Sequence, residues 1–241
     1  MQHPELNVVS IEDYNLVTDD SYEVKITHPD TLGWLEKKLN DTEMNHLWEC
    51  IANKKEDWKG HLAGNISASY KLLDKNNWFW ANTLRPLCLQ YAQVFKNLGE
   101  EAPISQRHPY YLETLWVNYQ KQTEFNPLHT HGGVYSFVIW MKIPTKYSEQ
   151  AKNPIALGTN SKSISNFNFV YADILGERSV FKYEMSPDME GQMLFFPAKL
   201  EHQVFPFYNC DETRISVAGN ILLDTAQLLT QEGEGQDWPT E

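Results

Sequence analysis

The chain reads as mainly β, an antiparallel sandwich or jelly roll with an α-helical N-terminal part. Two observations predict this. After Pro103, seven short runs rich in aromatic and β-branched residues follow one another, separated by Gly, Pro, Asn and Asp turns. No helical period interrupts them, which excludes a parallel α/β sheet. Before residue 100, by contrast, apolar residues recur at spacings of three and four.

The helices come first in the chain. Asp41 or Thr42 can cap a helix to about Lys54, with Met44, Leu47, Trp48 and Ile51 on one face. A second runs from Trp80 through Leu84, Leu87, Cys88, Tyr91, Val94 and Phe95 to Leu98, and Gly99 stops it. Pro86 lies inside that pattern, so it sits in the first turn or kinks the helix. Upstream, Leu6–Ile11 and Tyr22–Ile26 are short β-like runs. The expected strands are Tyr111–Tyr119, Val134–Ile143, Phe167–Tyr171, Ser179–Glu184, Gln192–Phe196, His202–Pro206 and Arg214–Leu223. Three regions result, expected to form one folding unit: 1–100 as an α-rich part packing on the core, 101–225 as the β core, and 226–241 as a loose acidic tail.

Composition narrows the function. Hydrophobic residues are 41% and charged residues 22%, which excludes wholesale disorder. The net charge of −12 disfavours a general duplex-DNA or anionic-membrane binder, since both need a broad cationic face. Three scattered cysteines form neither a disulfide framework nor a CxxC metal pair. No basic-then-apolar leader opens the sequence and no apolar run reaches about 18 residues, so a cytoplasmic protein is expected, in host cytoplasm if phage-encoded.

Five histidines (His3, His28, His46, His61, His108) stand alone in polar surroundings. His129 and His131 differ. In Asn126-Pro127-Leu128-His129-Thr130-His131-Gly132-Gly133, strand alternation sends both rings from one face, about 7 Å apart at the backbone, within reach of a shared metal. A chance pairing in a turn is the plain alternative. His202 opens another strand after Phe195-Phe196-Pro197, and Arg214 follows twelve residues later. Alternation places Arg214, Ser216, Ala218 and Asn220 on one face, with Ile215, Val217 and Ile221 on the core side. A guanidinium there either reaches water at a sheet edge or needs an anion, for which its planar donors suit a carboxylate.

The ordered set of Leu115-Trp116-Val117-Asn118-Tyr119, His129-Thr130-His131, Phe195-Phe196-Pro197, His202 and Arg214-Ile215-Ser216-Val217 resembles the Fe(II)/2-oxoglutarate-dependent dioxygenases. It is most similar to the small oxygenases of tailed phages and marine bacteria, over about residues 111–223. The resemblance implies a double-stranded β-helix, a cupin-like jelly roll, with Fe(II) in its mouth and 2-oxoglutarate as co-substrate. It implies His129, His131 and His202 as metal ligands, although the family's usual carboxylate position is here His131. A carboxylate from elsewhere (Asp173 or Glu124) or a water are the other candidates for the third ligand. It further implies Arg214 and Ser216 on the far carboxylate of 2-oxoglutarate, with Tyr119, ten residues before His129, beside them; Asn118, on the opposite strand face, is set aside. Asn220, Trp116 and Trp140 are candidates for substrate contact, or the two tryptophans pack the core. The segment 144–165 lies where a lid could cover the mouth, or is a surface loop. The implied reaction hydroxylates a peptide side chain, an amino acid or another small molecule, releasing succinate and CO2. Two other readings stay open: a three-His hydrolase or lyase, and a non-catalytic jelly-roll binding module.

Overall fold

Two antiparallel sheets face each other in the computed structural model, which describes residues 31–101 and 107–227. The runs at Leu6–Ile11 and Tyr22–Ile26, the tail from Gln231, His3 and His28 lie outside the described residues. The chain enters through β1 (Leu35–Lys38), α1 (Asp41–Ala52), β2 (Ala68–Lys71) and α2 (Arg85–Val94). The β core then follows as β3 (Tyr110–Gln120), β4 (Asn126–His129), β5 (Tyr135–Lys142), β6 (Asn166–Ala172), β7 (Arg178–Glu184), β8 (Gln192–Pro197), β9 (Glu201–Val204) and β10 (Arg214–Leu223). The larger sheet has the order β1-β8-β5-β10-β3-β2 and the smaller one β4-β9-β6-β7. This is a jelly roll of the double-stranded β-helix type. Each expected strand in the β half is present, and β1, β2 and β4 are additional.

Local chemistry sets the helices. Asn40, not Asp41 or Thr42, caps α1: its side chain accepts from the Glu43 amide, and Glu43 returns a bond to the Asn40 amide. This reciprocal box needs a carboxylate exactly three residues on, which Asn40 has in Glu43. The second helical pattern begins as a π-helical turn over Trp80–Leu84 and becomes regular at Arg85, which puts Pro86 in the first turn of α2. There its missing N–H forfeits no helical bond. Asp74 accepts from the Phe79 and Trp80 amides and so starts that segment.

The larger sheet is apolar on both faces, hence the near-continuous run Tyr135–Met141. One face (Tyr135, Phe137, Ile139, Met193, Phe195, Val217, Ile221) packs against Leu47 and Ile51 of α1 and Leu87 and Tyr91 of α2. The other face (Trp140, Leu194, Phe196) meets Phe167, Phe169 and Tyr183 of the smaller sheet. Beyond that second core the sheets splay around a cavity of about 500 Å³. Gly219 permits the close approach of β10 to its neighbours. An added Cβ would meet the Thr114 carbonyl oxygen at 2.6 Å and the Phe137 ring at 2.5 Å. Gly219→Ala is therefore expected to cost about 1–3 kcal/mol of stability through overpacking, measurable by urea denaturation. Among the described residues no helix is long and apolar enough to cross a membrane.

Candidate metal centre

Three imidazoles meet at the cavity. His129 on β4 and His202 on β9 are directly opposed in register, with ring centroids 4.3 Å apart. His131 follows β4 in a turn whose backbone is held by its amide bonding to Ala198 O at 2.8 Å. Gly133 then adopts φ +97°, which reverses the chain into β5. One ligand atom from each ring lies within 4.8 Å of the other two, and no other such His, Cys, Asp or Glu group occurs among the described residues.

The hydrogen bonds orient the ring nitrogens. His129 Nδ1 donates to Pro127 O at 2.7 Å, and His202 Nδ1 donates to Leu200 O at 2.9 Å. Each bond fixes a tautomer whose bare Nε2 faces inward, the usual outer support of a metal-bound histidine. His131 Nε2 and His202 Nε2 are 3.0 Å apart. Two nitrogens at a right angle about a metal, with bonds of about 2.1 Å, would lie about 3.0 Å apart. Burial is the main cause that keeps all three rings neutral: it lowers the affinity of His129 for a proton, pushes His131 down to about 3 and holds His202 well below the usual imidazole range, with neighbouring imidazoles adding to the last two. Neutral rings leave their lone pairs free for a cation.

Arg214, the first residue of β10, lines the same cavity. It is 2% exposed. Its Nη2 donates to Ser165 Oγ at 2.7 Å and its Nη1 to Gln120 Oε1 at 3.2 Å, while Phe207 lies under the guanidinium at 4.7 Å. No carboxylate pairs with it among the described residues, and Nε has no partner. Burial lowers the guanidinium to about 9, still charged at neutral pH. A buried charge without a counter-ion costs several kcal/mol. The position thus calls for an anion from outside the chain.

Register explains which side chains surround this pair of features. β10 and β3 oppose Arg214 with Gln120, Ser216 with Asn118, Ala218 with Trp116 and Asn220 with Thr114, and all eight line the cavity. Tyr119 does not: it occupies the other face of β3, packing against Tyr70 and the core beneath the helices. The expected role of Tyr119 is corrected by this parity, and Asn118, set aside from sequence, faces the cavity instead. Ser69 donates to Asn118 Oδ1 at 2.8 Å, which turns the Asn118 amide nitrogen free of that bond. Trp116 lies beside His131, with centroids 5.7 Å apart. Trp140 borders the cavity but is wedged against Phe167, and Asn220 accepts from Ser136. Glu124 is engaged by the Ser67 and Lys121 amides and Asp173 by the turn amides of Leu175 and Glu177, so neither is aimed at the histidines. The segment 144–165 contributes no lining residue. Its Gln150 is pinned to Tyr208, and it delivers Ser165 to Arg214, a contact that no sequence pattern announced.

Residues 114–220 match the model of a family described as putative 2OG-Fe(II) oxygenase. A search of curated proteins finds no match. Among solved structures, the chain is similar to a prolyl-4-hydroxylase from Pseudomonas putida at 13% identity, over 80% of this chain and 94% of that one, with a TM-score of 0.46. It is similar to the viral collagen prolyl hydroxylase of Paramecium bursaria Chlorella virus-1, solved with 2-oxoglutarate, at 13% identity over 78% and 94%, with a TM-score of 0.44. A prolyl hydroxylase from Trichoplax adhaerens is similar at 10% identity over 80% and 84%, with a TM-score of 0.46. The sequence match spans the strands that carry the histidines and the buried arginine, and over these residues the chain is similar to the 2OG-Fe(II) oxygenases.

Proposed function

We propose that His129, His131 and His202 hold the iron, that Arg214 holds the distal carboxylate of 2-oxoglutarate, and that the enzyme hydroxylates a small-molecule or peptide substrate. The observation that carries this reading is the buried guanidinium without an anion, lining the same cavity as three convergent, neutral imidazoles. Bound there, the iron and the keto acid supply an oxidant strong enough for a C–H bond, consuming O2 and releasing succinate and CO2.

The chain's own groups do the rest. The backbone carbonyls of Pro127 and Leu200 keep two imidazoles in the tautomer that ligates. Gln120 and Ser165 hold the guanidinium plane still, so that its remaining donors meet a carboxylate with little reorganisation. Ser216 lies between Arg214 and the metal end on the same strand face, suited to a second bond to the same carboxylate. Phe167, Phe196 and Trp140 keep water from the inner wall. Charge balance favours the arrangement. Three neutral ligands leave a divalent iron with its full charge, one unit more than a set containing a carboxylate, and dianionic 2-oxoglutarate offsets it.

A hydrolase reading would use the same three histidines but leaves the buried guanidinium without a role. Anaerobic addition of Fe(II) and 2-oxoglutarate tests the proposal: a weak visible charge-transfer band is expected, followed by succinate release on admitting O2. Neither signal arises from a hydrolase.

A further inference from the structure

The half of the cavity away from Arg214 contains a carboxylate that the proposed chemistry does not use. Glu113 belongs to β3, where side chains alternate and the even-numbered residues from Thr114 to Gln120 face the cavity. By strict alternation Glu113 would face the helices. The ladder with β10 breaks here: Asn220 pairs with Thr114, but Ile221 pairs with Leu112, so Glu113 is the extra residue of a β-bulge. The bulge inverts parity below it. Tyr110 and Leu112 pack into the core beneath the helices, and Glu113 joins Thr114 on the cavity wall. A bulge in this place re-aims a side chain at the cost of a ladder bond, as such features do beside binding sites.

The charge inventory says what such a side chain could meet. Among the described residues that line the cavity, Glu113 and Arg214 are the fully charged ones, and they lie toward opposite ends of β3 and β10. Glu113 is exposed and forms no ion pair or hydrogen bond with a described residue. With Fe(II), Arg214 and dianionic 2-oxoglutarate together, the inner half keeps one net positive charge, and Glu113 is the single negative group of the outer half. The molecule as a whole carries −12, which draws cations toward its clefts. Trp116, on the same strand as Glu113, adds aromatic surface to the cavity, which suits an alkyl stem or a cationic head.

We infer that the substrate carries an ammonium or guanidinium group and that Glu113 is the residue that selects it. This rests on the oxygenase reading above and deepens it: the cation sits at the rim on Glu113, and the carbon to be hydroxylated reaches inward toward the histidines.

Three end-blocked tripeptides, acetyl-Gly-X-Gly-amide with X as lysine, norleucine or glutamate, provide the probe. Binding is read by tryptophan fluorescence with Mn(II) and 2-oxoglutarate bound. The lysine peptide is expected to bind roughly two- to fivefold more tightly than the norleucine peptide, the scale of one exposed ion pair. The glutamate peptide should bind worst. Glu113→Gln should erase the lysine preference, Glu113→Asp should keep part of it, and Glu177→Gln, a charge removed from the distant β6–β7 turn, should leave it whole. Equal affinity for all three peptides, including none for any, overturns the proposal, as does a lysine preference that survives Glu113→Gln. Peptide-independent succinate release by the wild-type enzyme is measured alongside. Its presence with no peptide discrimination sinks only the cationic substrate, whereas its absence sinks the oxygenase reading itself.

Discussion

Arg214→Met should abolish the binding of 2-oxoglutarate while leaving the metal site intact. In the wild-type chain the guanidinium is buried against Phe207 with no carboxylate beside it. Its hydrogen bonds to Gln120, Ser165 and the Phe205 carbonyl satisfy donors but offset no charge. A carboxylate arriving there forms a charge-assisted, planar pair in a medium of low polarity. Truncating one partner of such a pair costs about 2–5 kcal/mol, or roughly 30- to 4000-fold in affinity. The metal-replete variant should therefore show no rise in melting temperature with 2-oxoglutarate, where the wild type rises steeply. Its ligand-free melting temperature should fall little, because an unpaired buried charge is removed together with its hydrogen bonds. Arg214→Lys keeps a charge but loses the fork, and should recover only part of the binding. Undiminished stabilisation of Arg214→Met by 2-oxoglutarate would place the anion elsewhere.

His131→Ala should lose iron as completely as His129→Ala and His202→Ala. One ring nitrogen from each histidine joins a single cluster, in which His131 Nε2 lies 3.0 Å from His202 Nε2. Even outer support of a ligand is worth 10- to 100-fold in metal affinity, so loss of a ligand itself should exceed about 100-fold. His131→Asp places a carboxylate in the same turn and completes a two-His, one-carboxylate set, so it should retain iron. Metal analysis after dialysis reads all four variants. Full iron occupancy in His131→Ala, with loss in the other two, would show that His131 only lines the site.

Much of this centre was legible in the sequence because strand parity is a strong rule. The row Arg214, Ser216 and Asn220 shares a face by alternation and lines the cavity, whereas His131 lies beyond the end of β4 and is brought beside His129 by a turn held on Ala198 O. What parity cannot supply is register between strands distant in the chain. Parity puts Tyr119 and Asn118 on opposite faces of one strand, and the resemblance favours Tyr119. Only the pairing of Ser216 with Asn118 shows that Asn118 faces inward and Tyr119 the helices. The same limit hid Gln120, opposite Arg214, and Ser165, which a long segment carries in from the smaller sheet. Glu113 was hidden by the opposite effect, since the bulge breaks the alternation on which the reading relies. Strands β1 and β2 escaped because Leu-Glu-Lys-Lys and Ala-Ser-Tyr-Lys are short edge strands with little apolar alternation. The helices were read from their period, yet the Asn40 cap depended on a reciprocal bond and not on position alone.

A crystal structure grown without oxygen in the presence of Fe(II) and 2-oxoglutarate addresses the core of this account. The account requires iron bonded to Nε2 of residues 129, 131 and 202, with the co-substrate's outer carboxylate forked onto residue 214. Density for the keto acid away from that guanidinium, or a metal held by other side chains, would contradict it.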